Sequence, residues 1–199
     1  MIIGFHGCKG AGKDTAGKFL VDTYDFQKVA FADPLKEAVA VLFNLTVQEV
    51  DDLKSSPAYI ELNHDWQDVM VDYADGTKFD PWTRIGWREF LQRFGTEMGR
   101  NTFGRDFWVD LWEDYLYRNS IHEDNIVATD VRFKNEAEKI QHMGGTVVEI
   151  IRPEYEPDGH ESEEPLPRIL IDAQINNNGT IEDLHVDVHE LIKQLTRSS

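Results

Sequence analysis

The stretch Gly7-Cys8-Lys9-Gly10-Ala11-Gly12-Lys13 constrains this chain more than any other. It follows directly on an apolar run at residues 1–5 and precedes residues 13–24, which put Ala16, Phe19, Leu20 and Tyr24 on one helical face. A short strand, a glycine-rich loop and an amphipathic helix are therefore expected in immediate succession. The spacing is that of a phosphate-binding loop, G-x-x-x-x-G-K. Glycines let the backbone turn its N–H groups inward, the following helix adds the positive end of its dipole, and the lysine ammonium brings a point charge to the β and γ phosphates. Gly7, Lys9, Gly10, Ala11, Gly12 and Lys13 are the expected phosphate contacts. The competing reading is a glycine-rich turn that merely joins strand to helix.

One position departs from the common pattern: Asp14 stands where a Ser or Thr hydroxyl would coordinate Mg2+ directly. A carboxylate here could hold the metal through a water or cap the helix, and Thr15 next door could donate the hydroxyl instead.

Further along, residues 28–32 read as a second strand, and Asp33-Pro34 as the start of a helix running to about Asn44. Thr46 with Glu49 forms a capping-box pattern for a short helix at about 47–53. Periodicity then fails over about 55–82, where Pro57, Asp75-Gly76 and Asp80-Pro81 signal turns; an irregular insertion is expected, with a hairpin around Asp75-Gly76. Helical spacing returns from Thr83 through Phe94 and again over 107–118, which carries Trp108 and Trp112. Residues 125–128 read as a buried strand ending at Thr129-Asp130, 135–143 as a helix stopped by Gly144-Gly145, and 146–151 as a strand. An acidic, proline-rich loop at about 153–168 could act as a lid, and a strand at 169–175 leads by a turn at 176–179 to a helix capped by Thr180. Strands alternating with helices imply an α/β protein with a mostly parallel sheet of about five strands, covered on both faces.

A length of 199 residues suits one domain with an insertion, not two. The net charge of -17 would repel a polyanion, which excludes a general DNA or RNA clamp but leaves room for a small phosphorylated ligand held by local cations. No apolar run is long enough for a membrane span, and residues 1–5 are too short, and lack the basic flank, for a signal peptide. With one cysteine, Cys8, no internal disulfide forms, which fits a reduced cytoplasm. Cys8 has no catalytic context, and His185 and His189, four apart on the last helix, lack a third ligand and read as a polar face.

Against that acidic background, basic residues gathered at one place stand out. Asp130 lies at the carboxyl end of an apolar strand, the edge where open α/β sheets collect ligands; it could hold Mg2+ or orient an attacking oxygen, with Arg132 adding positive charge. A capping Asp beside a surface Arg is the alternative. Arg88, Gln92, Arg93, Thr96 and Arg100 concentrate cations and amides on one helix and its continuation. At four-residue spacing Arg88, Gln92 and Thr96 could present a fork for a phosphate and an amide for a base edge, unless the arginines simply pair with Glu89 and Glu97. His160, Ser162 and Glu163 in the acidic loop could close over a nucleotide, or be solvated.

Taken in order, "GCKGAGKDT", "FADPLKEAV", "REFLQRFGTE" with "FGRDFWV", "IVATDVRFKNEAEKIQHMGGTVVEIIRP", "HESEEPLP" and "INNNGTIEDL" resemble the bacteriophage deoxynucleoside monophosphate kinases, members of the P-loop kinase superfamily. Those stretches span most of the chain, and the aspartate after the lysine then looks like a family trait. The resemblance implies a P-loop three-layer sandwich forming a single kinase domain over 1–199. It also implies ATP as donor, a deoxynucleoside 5′-monophosphate as acceptor, and Mg2+ between them. By the same resemblance Lys13 and the loop amides hold the donor phosphates, Asp14 and Thr15 serve the metal region, and Asp130 joins Arg132 at the reaction centre. Arg88, Gln92 and Thr96, with Arg100 beside them, belong to the acceptor pocket, and Asn177 approaches the donor's adenine. Residues 44–82 match poorly, which leaves base selectivity open. The rival readings are another small-molecule P-loop kinase, of the dephospho-coenzyme A or phosphomevalonate type, and a non-catalytic ATP-binding regulatory module. A homodimer through an apolar face near Trp108 and Trp112 is a further expectation, with core burial as its alternative.

Overall fold

The computed structural model describes residues 1–61, 84–122, 124–152 and 165–197. The turn at Asp75-Gly76, most of the expected insertion, and His160, Ser162 and Glu163 of the expected lid lie outside the described residues. The chain divides into two compact units: Met1–Pro34 with Asp106–Ser199, and Leu35–Arg105.

The first unit is built on the strands β1 (Ile2–His6), β2 (Gln27–Lys28), β5 (Ile126–Val131), β6 (Thr146–Ile151) and β7 (Ala173–Asn176). They form one sheet in the order β2-β5-β1-β6-β7, and every neighbouring pair is parallel. The central strand β1 is buried along its whole length, which its apolar sequence on both faces requires. Helices α1 (Lys13–Tyr24) and α8 (Ile181–Arg197) close one face through Ala16, Leu20, Leu184, Val188 and Ile192 against Ile3, Phe5 and Val148. Helices α6 (Phe107–Arg118) and α7 (Lys134–His142) close the other through Val109, Trp112, Leu116, Ala137 and Ile140 against Ile126, Ala128 and Val147. The result is the expected three-layer α/β sandwich. At roughly 1.5–3 kcal/mol for each large side chain buried, against about 0–1 kcal/mol for an exposed ion pair, these two clusters hold the sheet, and with it the loop at its carboxyl edge.

Two strands differ from expectation for one reason: carboxylates take the amides that a longer ladder would use. The second strand ends at Lys28, because the Ala30 amide donates to Asp33 and those of Phe31 and Ala32 donate to Asp130. The last strand begins only at Ala173, after a single 3-10 turn at Arg168–Leu170. There the Asp172 carboxylate accepts the Val147 amide at 2.8 Å.

The second unit holds most of α2 (Asp33–Phe43), then α3 (Val47–Ser55), the antiparallel pair β3 (Tyr59–Glu61) and β4 (Arg84–Gly86), and α4 (Trp87–Arg93). The expected capping box is present: Thr46 Oγ1 accepts the Glu49 amide at 3.2 Å and Glu49 Oε2 accepts the Thr46 amide at 2.7 Å. The helix expected from Thr83 begins instead at Trp87, since residues 84–86 pair with β3. It continues as a π-helical stretch, Phe94–Arg100, in which the Asn101 amide reaches back five residues to the Thr96 carbonyl, and ends in the short helix α5 (Asn101–Phe103). Val39, Ala40, Val50, Ile60, Ile85, Trp87 and Leu91 form this unit's own core.

Candidate active site

The loop between β1 and α1 has the backbone its glycines allow. Gly7 and Gly12 sit at φ +141° and +107°, and a Cβ would lie 2.4 Å from the Ile150 carbonyl oxygen at Gly7 and 2.5 Å from Asn177 Nδ2 at Gly12. Neither position admits another residue without moving strand or loop. Lys13 bends back over its own loop, its Nζ donating to the carbonyls of Gly7 at 2.5 Å and Cys8 at 2.8 Å. The ammonium is thus held at the loop mouth, beside the amino end of α1. Lys9 and Gly10 are exposed there, Thr15 is half-buried on the first turn of α1, and Arg152 donates to the Gly10 carbonyl at 3.5 Å. A glycine-rich cradle, a lysine across it and a helix end beneath it suit a polyphosphate.

Asn177 lies at the carboxyl end of β7 and is buried, and its Nδ2 donates to the Ala11 carbonyl at 2.8 Å. In this geometry its amide braces the phosphate loop.

Asp14 is engaged twice through one oxygen: Oδ1 accepts from Thr129 Oγ1 at 2.8 Å and from Lys28 Nζ at 2.6 Å. Burial would raise its pKa, but the bonds from Lys28 and Thr129, with the charges of Lys28 and Lys13, outweigh that and hold the carboxyl below its ordinary range. The residue therefore ties α1 to β2 and β5 and has its charge offset beside an anion site.

Asp130 closes a different contact. Its Oδ1 accepts the Phe31 amide at 2.9 Å and its Oδ2 the Ala32 amide at 3.0 Å, so it secures the segment between β2 and α2. Burial raises its pKa above the ordinary range; those two amides and Arg132 oppose the rise, and Asp33 adds to it. Arg132, directly after β5, is exposed, and its backbone amide donates to Glu136 at 2.7 Å. Among the described residues no group of three or more His, Cys, Asp or Glu side chains could hold a metal on its own. Mg2+ needs no such cage: it keeps several waters and takes one or two carboxylates plus substrate phosphates. Asp14 and Asp130 fit that lesser demand: both bonds to Asp14 fall on Oδ1 and leave Oδ2, and each Asp130 oxygen keeps a lone pair after accepting one bond.

His6, the last residue of β1, was not among the expected site residues. It is buried, and its Nδ1 lies 3.0 Å from the Val131 carbonyl oxygen. Burial lowers its pKa below the ordinary value, with Lys13 acting the same way and the Val131 carbonyl and Glu149 acting against. Lys28, Thr129 and Arg152 were missed as well. Thr129 and His6 had a signal, each being a polar residue at the end of an apolar strand; Lys28 and Arg152 had none beyond their charge.

In the second unit Arg88 and Gln92 are exposed on α4 and Thr96 on the π-helical stretch, whereas Trp87 and Leu91 of α4 are buried. Glu97 pairs with Arg93, at 2.8 and 3.1 Å, and not with Arg88, and the guanidinium holds its carboxyl below the usual range. Arg100 is half-buried at the end of the stretch. π-helical insertions concentrate at functional sites because they widen the turn and redirect side chains.

The remaining candidates are structural. His185 stacks on Phe19, with ring centroids 4.3 Å apart, and His189 is hydrogen-bonded to the Tyr24 hydroxyl, so both join α8 to α1. Cys8 is a half-buried loop residue. Trp108 and Trp112 are buried, as core packing requires. No described helix is long and apolar enough to cross a membrane.

A glycine-built phosphate loop between the first strand and first helix of an all-parallel, doubly covered sheet defines a P-loop nucleotide-binding protein. The family model for deoxynucleotide monophosphate kinases matches residues 79–188. A protein of Acanthamoeba polyphaga mimivirus, provisionally named a deoxynucleotide monophosphate kinase, is 32% identical over 94% of each chain. The deoxynucleotide monophosphate kinase of Enterobacteria phage T4 is 26% identical over 98% of this chain and 99% of its own. The chain belongs to the deoxynucleotide monophosphate kinase family. Among solved structures, shikimate kinase from Aquifex aeolicus aligns over 100% of both chains at 13% identity, with a TM-score of 0.48.

Proposed function

We propose that this chain is an ATP-dependent deoxynucleoside monophosphate kinase, which transfers the γ-phosphoryl group of ATP to a deoxynucleoside 5′-monophosphate to give ADP and the diphosphate. The observation that carries the reading is Lys13 held across a glycine-rich loop, in a chain of this family. An acceptor phosphate is already ionised, so the protein's task is positioning and charge neutralisation rather than proton abstraction.

In this reading Lys13 moves from the carbonyls of Gly7 and Cys8 to the donor phosphates, and the amides of Lys9 to Lys13 surround them. Mg2+ carried with the triphosphate would supply charge neutralisation on the phosphates. Asp14 and Asp130, with the Thr15 hydroxyl beside them, are the residues that would hold that ion. Arg132, at the sheet's carboxyl edge, offsets charge on the transferring group. Asn177 keeps the loop in shape on the side we assign to the adenine. Arg88, Gln92, Thr96 and Arg100 bind the acceptor: a guanidinium for its phosphate, the amide for its base edge. The two units work as one kinase domain, in the cytoplasm where its nucleotides are.

The test is ADP release from Mg·ATP with each deoxynucleoside monophosphate and its ribose counterpart, and with dephospho-coenzyme A and phosphomevalonate. Lys13→Ala serves as the blank. We expect turnover with one or more deoxynucleotides, lowered at least ~100-fold in the variant, the scale on which transition-state charge stabilisation is lost. Turnover only with another acceptor would transfer the assignment to that kinase type, and ATP binding with no turnover at all would favour a regulatory module.

A further inference from the structure

Beyond these residues, we propose that His6 is a positioning residue for the transfer: its hydrogen bond to the Val131 carbonyl fixes a bulge in β5 that aims Thr129, Asp130 and Arg132. β1 and β5 run in step at Ile2↔Ile126, Ile3↔Val127 and Gly4↔Ala128, and the next pair is His6↔Val131. Two steps along β1 thus match three along β5, and the extra residue falls at Thr129-Asp130.

The cores on the two faces agree with that count. Ile126 and Ala128 belong to the cluster under α6 and α7, and Val131, three positions beyond Ala128, belongs to it as well. Regular alternation would bring Asp130 to that face. Thr129 faces α1, close to Gly17, where its hydroxyl meets Asp14. The bulge therefore releases Asp130 from the apolar side and turns it to the amides of Phe31 and Ala32. Bulges re-aim side chains in this way next to active sites.

At the far end of the irregularity, where pairing resumes, the His6 imidazole holds the Val131 carbonyl. A carbonyl only accepts, so Nδ1 carries the proton of the 3.0 Å bond, and the tautomer is set. The side chain is buried, with Glu149 and Lys13 as the charged groups around it.

The inference rests on the kinase reading, and two variants test it. His6→Leu fills the space without a donor, whereas the amide of His6→Asn stands close to where Nδ1 was. In His6→Leu we expect kcat to fall about 10- to 100-fold with the Kd for ATP nearly unchanged, the loss typical of a small misplacement of reacting groups. Amide exchange at Phe31 and Ala32 should quicken about 10-fold while β6 amides keep their protection, a local opening. His6→Asn should restore both. Wild-type turnover and exchange in His6→Leu would overturn the proposal, and so would equal losses in the two variants. If His6→Leu does not fold, His6→Gln, whose amide lies one methylene farther out, replaces it in the same comparison. Absence of turnover with every deoxynucleotide in the wild type would sink the kinase reading instead, and the exchange data would still decide the bulge.

Discussion

A carboxylate in the first turn of a helix that must receive an anion is a liability unless its charge is met. Asp14 meets it with Lys28 and Thr129, and the two partners are not equal. The Lys28 ammonium is well exposed, so the pair is worth about 1 kcal/mol or less. The Thr129 hydroxyl is buried and donates to a charged acceptor, a bond worth about 1.5–3 kcal/mol. Urea denaturation of Thr129→Val should therefore show a loss of about 1.5–3 kcal/mol and that of Lys28→Ala clearly less; the reverse order would mean that the ion pair dominates. His6 makes a second residue-scale prediction. Its folded pKa is depressed, mainly by burial, so the unfolded chain takes up a proton first. The stability it contributes is whole above about pH 6.5 and is lost as pH falls from there toward the folded value. Urea midpoints measured from about pH 7.5 down through about 6.5, the unfolded value, to about 5.5 should fall more steeply for the wild type than for His6→Asn. At this scale the sequence revealed the cradle, because the glycines and Lys13 are adjacent in the chain. Thr129 lies 115 positions from Asp14, and Phe31 and Ala32 lie 99 and 98 from Asp130, beyond any local pattern.

Among the elements, legibility followed the range of the forces involved. Helix α3 was readable because its start is made by two residues three apart, Thr46 and Glu49. Thr46→Ala should cost about 1 kcal/mol by denaturation. Turnover should stay within about twofold, since the cap stabilises a helix that carries none of the proposed contacts. A large change in KM for the acceptor would place this helix closer to the chemistry than we have it. The second strand was read too long, the last one too early, and the fourth was read as helix. Each error came from a tertiary partner: the Asp130 and Asp172 carboxylates in two cases, and pairing with Tyr59–Glu61 in the third. The π-helical turn after Arg93 had no signal in apolar spacing, since one widened turn shifts the pattern by less than a residue.

For the molecule as a whole, alternation of strand and helix was enough to give a parallel sheet covered on both faces, because right-handed crossovers leave few other solutions. Strand order was not legible, being set by which apolar faces meet. The net charge of -17 acts at this scale too. Self-repulsion opposes the compact state, so raising salt from about 0.01 to 0.2 M, which shortens the Debye length from roughly 30 Å to under 10 Å, should stabilise the fold by about 1 kcal/mol. A melting temperature that drops over that range would show that attractive pairs outweigh the repulsion.

The brace from Asn177 to the Ala11 carbonyl joins positions 166 apart, and β1 finds its neighbour β5 only after more than 120 residues. Such separations make for slow folding, since long loops must close before the contacts that reward closure can form. On the ribosome the phosphate loop emerges long before its brace does. A message cut short ahead of codon 177 would yield a chain carrying the whole glycine-lysine motif with no native loop to display it.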